Sequence, residues 1–255
     1  MSTLLVAKKD VLDAIRSRTL LGVMGLFTAF LGFLTYYRIA MEDPGQPFVV
    51  AGLYPSVATV ISVIGTLLGY NAIVGERASG SLKVLLGAPH TRRDVVVGKF
   101  LGRAAVVVVT VVVGFTVVGA HYAVLADTPS LTDYARLGGK MVVLGVVFVA
   151  IAIAFSAAVR SSTVATWGAI GLAILFAFVW DSVFIIIEAS VFPPESPTPY
   201  WFSLITRLDP KYAFMSVSGP APFYLKPWFA VVILGSWILV TLGLASLRFE
   251  REDLV

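Results

Sequence analysis

The fold of this chain is decided around one charged segment, Glu76-Arg77-Ala78-Ser79-Gly80-Ser81-Leu82-Lys83-Val84-Leu85-Leu86-Gly87-Ala88-Pro89. Apolar runs flank it on both sides, roughly Tyr54–Val74 and Ala104–Leu125. Each run is long enough to cross a bilayer as a helix, which takes about 20 residues. A charged segment between two such spans cannot lie in lipid, so we expect it at one membrane surface.

The composition places the whole chain in the membrane class. Of its 255 residues, 58% are hydrophobic and only 13% are charged, and the mean hydropathy is +0.91. A soluble protein has about a quarter charged residues and could not bury so much apolar surface. The net charge of +4 does not indicate nucleic acid, because the charges lie between apolar runs rather than on one basic face.

Six apolar runs predict an all-α, polytopic membrane protein that forms a single domain over residues 1–255. Helices are favoured because they satisfy their own backbone hydrogen bonds in lipid. The runs place the spans near Thr19–Tyr37, Tyr54–Val74, Ala104–Leu125, Met141–Val159, Ser161–Trp180 and Trp228–Leu247.

Basic residues orient these spans. Six spans put both termini on one side of the membrane, and the side richer in Lys and Arg faces the cytosol. Of nineteen Lys and Arg residues, only six would lie on the other side, namely Arg38, Arg136, Lys140, Arg207, Lys211 and Lys226. We therefore predict a multi-pass protein of the cell membrane with both termini in the cytosol.

Residues 1–18 are predicted to form an amphipathic helix in the cytosolic interface. Leu4, Val11 and Ile15 share one helical face, together with Leu5 and Leu12. The alternative is a solvated basic leader. At the start of the third span, Lys99 and Arg103 are expected to extend to the interface.

The charged segment, residues 76–93, contains its own start and stop signals. Leu82, Leu85 and Leu86 recur at helical spacing, and Pro89 is expected to end that helix. Thr91-Arg92-Arg93-Asp94 matches a capping box before an apolar run, so the helix of the third span should begin near Thr91. The alternative is an ordinary connector.

Residues 181–227 are predicted to form a long outer loop with short, partly re-entrant helices. Its eight prolines prevent one continuous helix, and its aromatic residues favour the membrane interface. Asp181 and Glu188 are candidates for a pathway or outer gate, because acids at membrane depth are costly and often functional. The alternative is a loop that only covers the helices.

Several kinds of chemistry are excluded by the residues present. The chain has no cysteine and two histidines, which excludes thiolate sites and a histidine-built metal site. It has no phosphate-binding Walker pattern and no zinc-protease or serine-nucleophile motif. We therefore predict no catalytic, cofactor-binding or metal-binding residue on this chain.

The most specific pattern is Glu76-Arg77-x-Ser79-Gly80-Ser81-Leu82-x-x-Leu85-Leu86-x-x-Pro89-x-x-Arg92, closing with Gly98-Lys99. It resembles the coupling segment of type-2 ATP-binding-cassette permeases, the export-type family with six spans, and the resemblance covers most of the chain. In that family a similar run, Glu-Arg-Glu-x-Gly-Thr-Leu-Glu-x-Leu-Leu-x-x-Pro, forms a helix that docks on the ATPase. Here Ala78 replaces the second acid, Ser81 takes the Thr position and Lys83 takes the position of the Glu after Leu. Copper-site maturation permeases of the nitrous oxide reductase system are among the similar subfamilies.

The resemblance implies a permease subunit that is not itself an enzyme. ATP and Mg²⁺ would be bound by separate ATPase subunits, and a second permease copy would complete a homodimer. Leucines 82, 85 and 86 would fill a groove on the ATPase, and Glu76, Arg77 and Arg92 would make orienting ion pairs. Gly80 would allow close approach or fix the turn. Two alternatives are a secondary transporter or channel, and a non-transporting anchor or regulatory subunit.

The charge count makes a prediction about topology. A cysteine introduced at Pro197 should react with an impermeant thiol reagent added outside intact cells, whereas one at Ser81 should react only after permeabilisation. The natural absence of cysteine makes each labelled site unambiguous. Labelling in the opposite sense would contradict the predicted orientation.

Overall fold

Long helices make up the described part of the chain. The computed structural model describes residues 2–16, 18–41, 50–80, 91–192, 198–214, 222–223 and 226–250, and no strand occurs within these ranges. The all-α prediction is therefore confirmed.

The helices are labelled here in chain order. They are α1 Ser2–Arg16, α2 Thr19–Met41, α3 Tyr54–Gly69, α4 Val74–Ala78, α5 Arg92–Leu125, α6 Leu131–Ala158, α7 Ser162–Ile174, α8 Trp180–Val191, α9 Tyr200–Thr206 and α10 Pro227–Glu250. A π-helical turn, Leu175–Val179, joins α7 to α8, and short 3₁₀ turns lie at Val50–Leu53 and Pro210–Tyr212.

Six helical stretches are long and apolar enough to cross a membrane, as predicted. They are Thr19–Met41, Tyr54–Ala78, Arg92–Leu125, Leu131–Ala158, Ser162–Val191 and Pro227–Phe249, called spans 1 to 6 below. Span 3 begins at the capping box near Thr91, as predicted, ahead of the apolar run that starts at Ala104. Span 5 continues to Val191, beyond the predicted Trp180. The apolar residues after Asp181 let the helix continue as far as the prolines in the sequence.

The spans alternate in direction, so the bundle has two distinct ends. One end, called the terminal end, holds α1, the end of α4, the start of α5 and the end of α10. The other, called the opposite end, holds the start of span 2, the end of span 5 and the short helix α9. Arg38 Nη2 at this opposite end donates to the Gly52 carbonyl at 2.8 Å.

Helix α1 packs on span 3 through a face that sequence periodicity did not identify. Val6, Asp10 and Ala14 are buried, whereas Leu4 and Leu5 are 70% and 62% exposed. The predicted apolar face thus points away from the protein. Its position in a membrane interface stays a prediction.

Span 2 is interrupted between α3 and α4, and a side chain of span 4 supplies a hydrogen-bond acceptor at the interruption. The backbone N–H groups of Ile73 and Val74 both donate to Ser156 Oγ at 3.1 Å. An N–H group without a partner would be costly at this depth. The hydroxyl of Ser156 therefore lets α4 begin as a separate short helix.

Spans 2 and 4 approach each other through glycines. A Cβ atom built at Gly65 would lie 2.8 Å from the Gly145 carbonyl oxygen, and one at Gly69 would lie 2.7 Å from the Ala152 Cβ. The four-residue spacing of the two glycines lets the backbones meet closely, as is typical of membrane helix pairs.

Gly65→Val should destabilise the bundle by about 1–3 kcal/mol, because the added methyl groups would overlap the backbone of span 4. The thermal unfolding midpoint in detergent measures the loss. Gly25→Val is the matched control, since nothing lies within 4 Å of a Cβ at Gly25. Equal midpoints for the two variants would contradict this packing.

Candidate functional site

The charged segment leaves span 2 at a glycine turn. The Ser79 N–H donates to the Gly75 carbonyl at 3.0 Å, and the Gly80 N–H donates to the Arg77 carbonyl at 3.2 Å. Gly80 has a φ of 74°, a left-handed conformation that glycine adopts without the steric cost of a side chain. A turn is therefore present at Gly80, whereas the role of this glycine in docking stays a prediction.

The segment enters span 3 at the predicted capping box. The Thr91 N–H donates to Asp94 Oδ2 at 3.0 Å, and the Asp94 N–H donates to Thr91 Oγ1 at 3.2 Å. The Thr3 hydroxyl of α1 donates to Asp94 Oδ1 at 2.5 Å. The N-terminal helix therefore contacts the residue that starts span 3.

Five of the predicted coupling residues lie outside the described residues: Ser81, Leu82, Leu85, Leu86 and Pro89. The other five are Glu76, Arg77, Ser79, Gly80 and Arg92, and they flank this part of the segment. Their contacts show which helices hold the two ends of the segment.

A cluster of buried charges joins three elements at the terminal end. Lys99 Nζ of span 3 lies 2.9 Å from Asp10 Oδ1 of α1 and 2.5 Å from Glu76 Oε1 of α4. Arg103 Nε lies 2.8 Å from Asp10 Oδ2. The side chains of Lys99 and Asp10 are only 6% and 1% exposed. The expectation that Lys99 extends to the interface is therefore wrong, because two carboxylates hold its ammonium inside.

Two glycines of span 3 allow α1 to reach this cluster. A Cβ atom at Gly98 would lie 2.6 Å from the Val6 Cβ, and one at Gly102 would lie 2.7 Å from the Asp10 Cβ. Lys99 lies between them in the sequence, so close backbone contact and ion pairing occur in the same turn. Removing one member of a buried ionic group leaves the others uncompensated, which costs about 3–5 kcal/mol.

Two arginines tie the flanks of the segment to other spans. Arg77 Nη1 donates to the Val159 carbonyl at 2.7 Å, just after span 4. Arg92 Nη1 donates to the Phe249 carbonyl at 2.7 Å, and its guanidinium lies 5.8 Å from the centroid of the Phe249 ring. Glu76, Arg77 and Arg92 thus make contacts within this chain, and their predicted ion pairs with an ATPase stay a prediction.

Sequence reasoning did not assign Asp10 or Lys99 to a site. Two signals were available. Val6, Asp10 and Ala14 follow one another at four-residue spacing, which places an acid on an otherwise small and apolar face. Gly98 and Gly102 bracket Lys99 at the same spacing.

The opposite end holds a second ionic group around Asp181, one of the two gate candidates. Lys211 Nζ lies 2.8 Å from Asp181 Oδ2 and 3.4 Å from the Ala177 carbonyl oxygen. Glu188 is not part of this group, and its Oε1 accepts a hydrogen bond from the Thr198 hydroxyl at 3.2 Å. The structure therefore separates the two candidate acids.

Lys211 is anchored through its backbone as well as its side chain. Its carbonyl oxygen accepts a hydrogen bond from the Tyr54 hydroxyl at the start of span 2, and its N–H donates to Asp209 Oδ1 at 2.8 Å. Asp209 is fully buried, and this burial raises the pKa of its carboxyl group to about 7, against the opposing effects of the Lys211 N–H and ammonium. Lys211 thus links the segment after α9 to spans 2 and 5.

Six apolar spans, with ionic groups that join elements at either end, define a multi-pass membrane protein. Comparison with known proteins then gives the family. The chain belongs to the ABC-2 family of transporter proteins, whose family model matches residues 4–254. The resemblance drawn from the sequence is confirmed.

Curated relatives agree with this assignment. The chain is 30% identical to the probable ABC transporter permease protein NosY of Pseudomonas aeruginosa, over 84% of this chain and 81% of that protein. It is 29% identical to the probable ABC transporter permease protein NosY of Stutzerimonas stutzeri, over 97% of each chain. The chain is thus a membrane permease subunit of an ABC transporter, a class that works with an ABC ATPase.

The ion cluster predicts how the terminal end responds to mutation. Lys99→Met removes the buried ammonium that Asp10 and Glu76 share, so it should lower the free energy of unfolding by up to about 3–5 kcal/mol. Thermal unfolding in detergent measures this loss.

Arg136→Met is the matched control for that variant. Arg136 pairs with Asp133 at 3.2 Å, but the two side chains are 71% and 57% exposed, so its loss should cost about 1 kcal/mol or less. If Lys99→Met is no more destabilised than Arg136→Met, the buried cluster does not hold α1 to span 3.

Proposed function

We propose that this permease couples ATP hydrolysis on a separate ABC ATPase to the export of a substrate across the cell membrane. Its termini and the segment at residues 76–93 face the cytosol, and the ATPase docks on that segment. ATP and Mg²⁺ are bound by the ATPase subunits. The cargo is left unassigned, and the similarity to copper-site maturation permeases stays a prediction.

The observation that carries this proposal is the attachment of both flanks of the segment to one ion cluster. Glu76 is the first residue of the segment and Lys99 follows its last residue by six positions, and Lys99 Nζ lies 2.5 Å from Glu76 Oε1. A displacement of the segment would therefore act on the ends of spans 2 and 3 together. It would also reach α1, because Asp10 shares the same ammonium at 2.9 Å.

Arg77 and Arg92 connect the two ends of the segment to other spans of the bundle. Arg77 contacts the carbonyl of Val159 between spans 4 and 5, and Arg92 contacts the carbonyl of Phe249 at the end of span 6. A push from a docked ATPase would thus act on several spans at once. We infer that the terminal end moves as a unit when the ATPase subunits close on ATP.

The leucines of the segment provide the test of docking. Replacing Leu85 and Leu86 together with Asp should abolish copurification of the ATPase and ATP-driven transport. Each buried leucine contributes roughly 1.5–3 kcal/mol, and a buried carboxylate adds a further penalty. The readouts are the amount of ATPase recovered with the tagged permease and the thermal midpoint of the permease alone.

Lys83→Asp is the matched control, because it changes charge in the same segment without removing an apolar anchor. The double leucine variant should keep its wild-type midpoint, since the spans are untouched. A variant that retains both ATPase and transport would contradict the docking role. A variant that unfolds while Lys83→Asp is stable would show that the leucines pack inside the permease.

The proposal includes a second copy of the chain. Six spans supply half of a two-fold pathway, and two-fold homodimers are the commonest closed assemblies. Spans 1 and 5 have the smallest share of buried residues, 17% in each. Their exposed apolar faces are available to lipid or to a partner copy. Native mass measurement in nanodiscs should find two permeases per complex, and a complex with one permease would refute the dimer.

A further inference from the structure

We propose that a cavity at the opposite end of the bundle binds the primary ammonium group of a small organic cation, which displaces Lys211 from Asp181. The cavity has a volume of about 110 Å³ and is lined by Tyr54, Pro55, Ala58, Asp181, Lys211 and Tyr212. A water molecule takes about 30 Å³ in the liquid, so the space admits a group of a few heavy atoms. The inference rests on the proposed function, since it names the chemical class of the cargo.

The resident lysine shows that an ammonium group fits this site. The Lys211 side chain is 5% exposed, and its Nζ lies 2.8 Å from Asp181 Oδ2 and 3.4 Å from the Ala177 carbonyl oxygen. The same nitrogen lies 6.0 Å from the centroid of the Tyr212 ring, within the range of cation–π attraction. Carboxylate, carbonyl and aromatic face are the groups that recognise an ammonium ion.

A carboxylate oxygen of the cavity lining has no hydrogen bond of ordinary geometry. Within the described residues, this is the buried atom Asp181 Oδ1. A buried acceptor without a donor calls for an explanation such as a bound donor. A ligand with several N–H groups and a positive charge would supply a donor to Asp181 Oδ1, whereas an anion would be repelled by the Asp181 carboxylate.

The backbone beside the cavity is built around an irregular turn. The π-helical turn Leu175–Val179 includes Ala177, whose carbonyl oxygen is the second acceptor of the Lys211 ammonium. Asp181 lies four residues further along, on the same helical face. Such π turns are frequent at functional sites, and this one directs a carbonyl and a carboxylate at the same ammonium.

Lys211 can be displaced because it does not belong to a span. It lies in the short 3₁₀ turn Pro210–Tyr212 between spans 5 and 6, and its four-carbon side chain is flexible. It therefore acts as a tethered competitor for the site. When a ligand ammonium takes Asp181, the Lys211 ammonium moves away from that carboxylate.

The test uses the purified permease alone in nanodiscs, with n-propylammonium chloride as the probe. Binding is followed by tryptophan fluorescence, which reports on the neighbouring Trp180, and by the thermal midpoint. The wild-type chain should show a saturable response that equal concentrations of 1-propanol and NaCl do not give. Lys211→Ala should bind the probe roughly ten-fold or more tightly, because the competitor is gone and the missing propylammonium group is replaced.

Two further variants guard against a fold defect. Asp181→Asn should weaken binding roughly ten-fold or more by removing the charged acceptor. The double variant Asp181→Asn with Lys211→Met removes both charges together, so it should fold and show no saturable response. If Lys211→Ala does not fold, the test compares the probe responses of the wild type and this double variant. A saturable response in the wild type alone supports the site.

Two results would overturn the proposal. One is a wild-type chain without a saturable response, even if the probe rescues Lys211→Ala, since Lys211 would then be a fixed structural partner of Asp181. The other is an equal response in the double variant. Neither depends on an ATPase or nucleotide, so this failure is distinct from loss of coupling in the leucine variant.

Discussion

Lys99 places a full positive charge inside the end of a membrane-spanning bundle, where burial is costly unless anionic groups lie close. Asp10 and Glu76 meet that requirement at 2.9 and 2.5 Å. Because the two acids belong to different elements, satisfying one ammonium fixes α1, the end of span 2 and the start of span 3 relative to one another. The glycines on either side of Lys99 are needed for the same reason, since a side chain there would hold α1 away.

The two ends of the bundle use buried charge differently. At the terminal end the cluster joins helices, and its members belong to continuous elements or to the flanks of the proposed docking segment. At the opposite end the lysine belongs to a short turn, the carboxylate of Asp181 follows an irregular π turn, and a cavity lies beside them. A buried ionic junction suits the proposed transmission of force, whereas an ion pair beside a cavity suits the proposed recognition of a ligand.

Between these ends, small residues let spans 2 and 4 approach each other closely. Lipid is as apolar as leucine, so burial of side chains alone does not drive membrane helices together. Gly65 and Gly69 let span 2 contact the backbone of span 4. Ser156 of span 4 accepts hydrogen bonds from the two backbone N–H groups at the break in span 2. The break and the close approach thus depend on the same neighbouring helix.

The sequence by itself determined the all-α membrane class, the six spans, the glycine turn at Gly80 and the capping box at Thr91. These features depend on hydropathy and on interactions between residues a few positions apart. Only the tertiary structure decided that Lys99 pairs with Asp10 and Glu76, that α1 packs through Val6 and Ala14, and that Lys211 reaches Asp181. Those partners lie tens of residues apart in the chain, and a charge in a sequence does not reveal which distant charge will neutralise it. Burial, which turns such a pair from a weak surface contact into a requirement, exists only once the helices have packed.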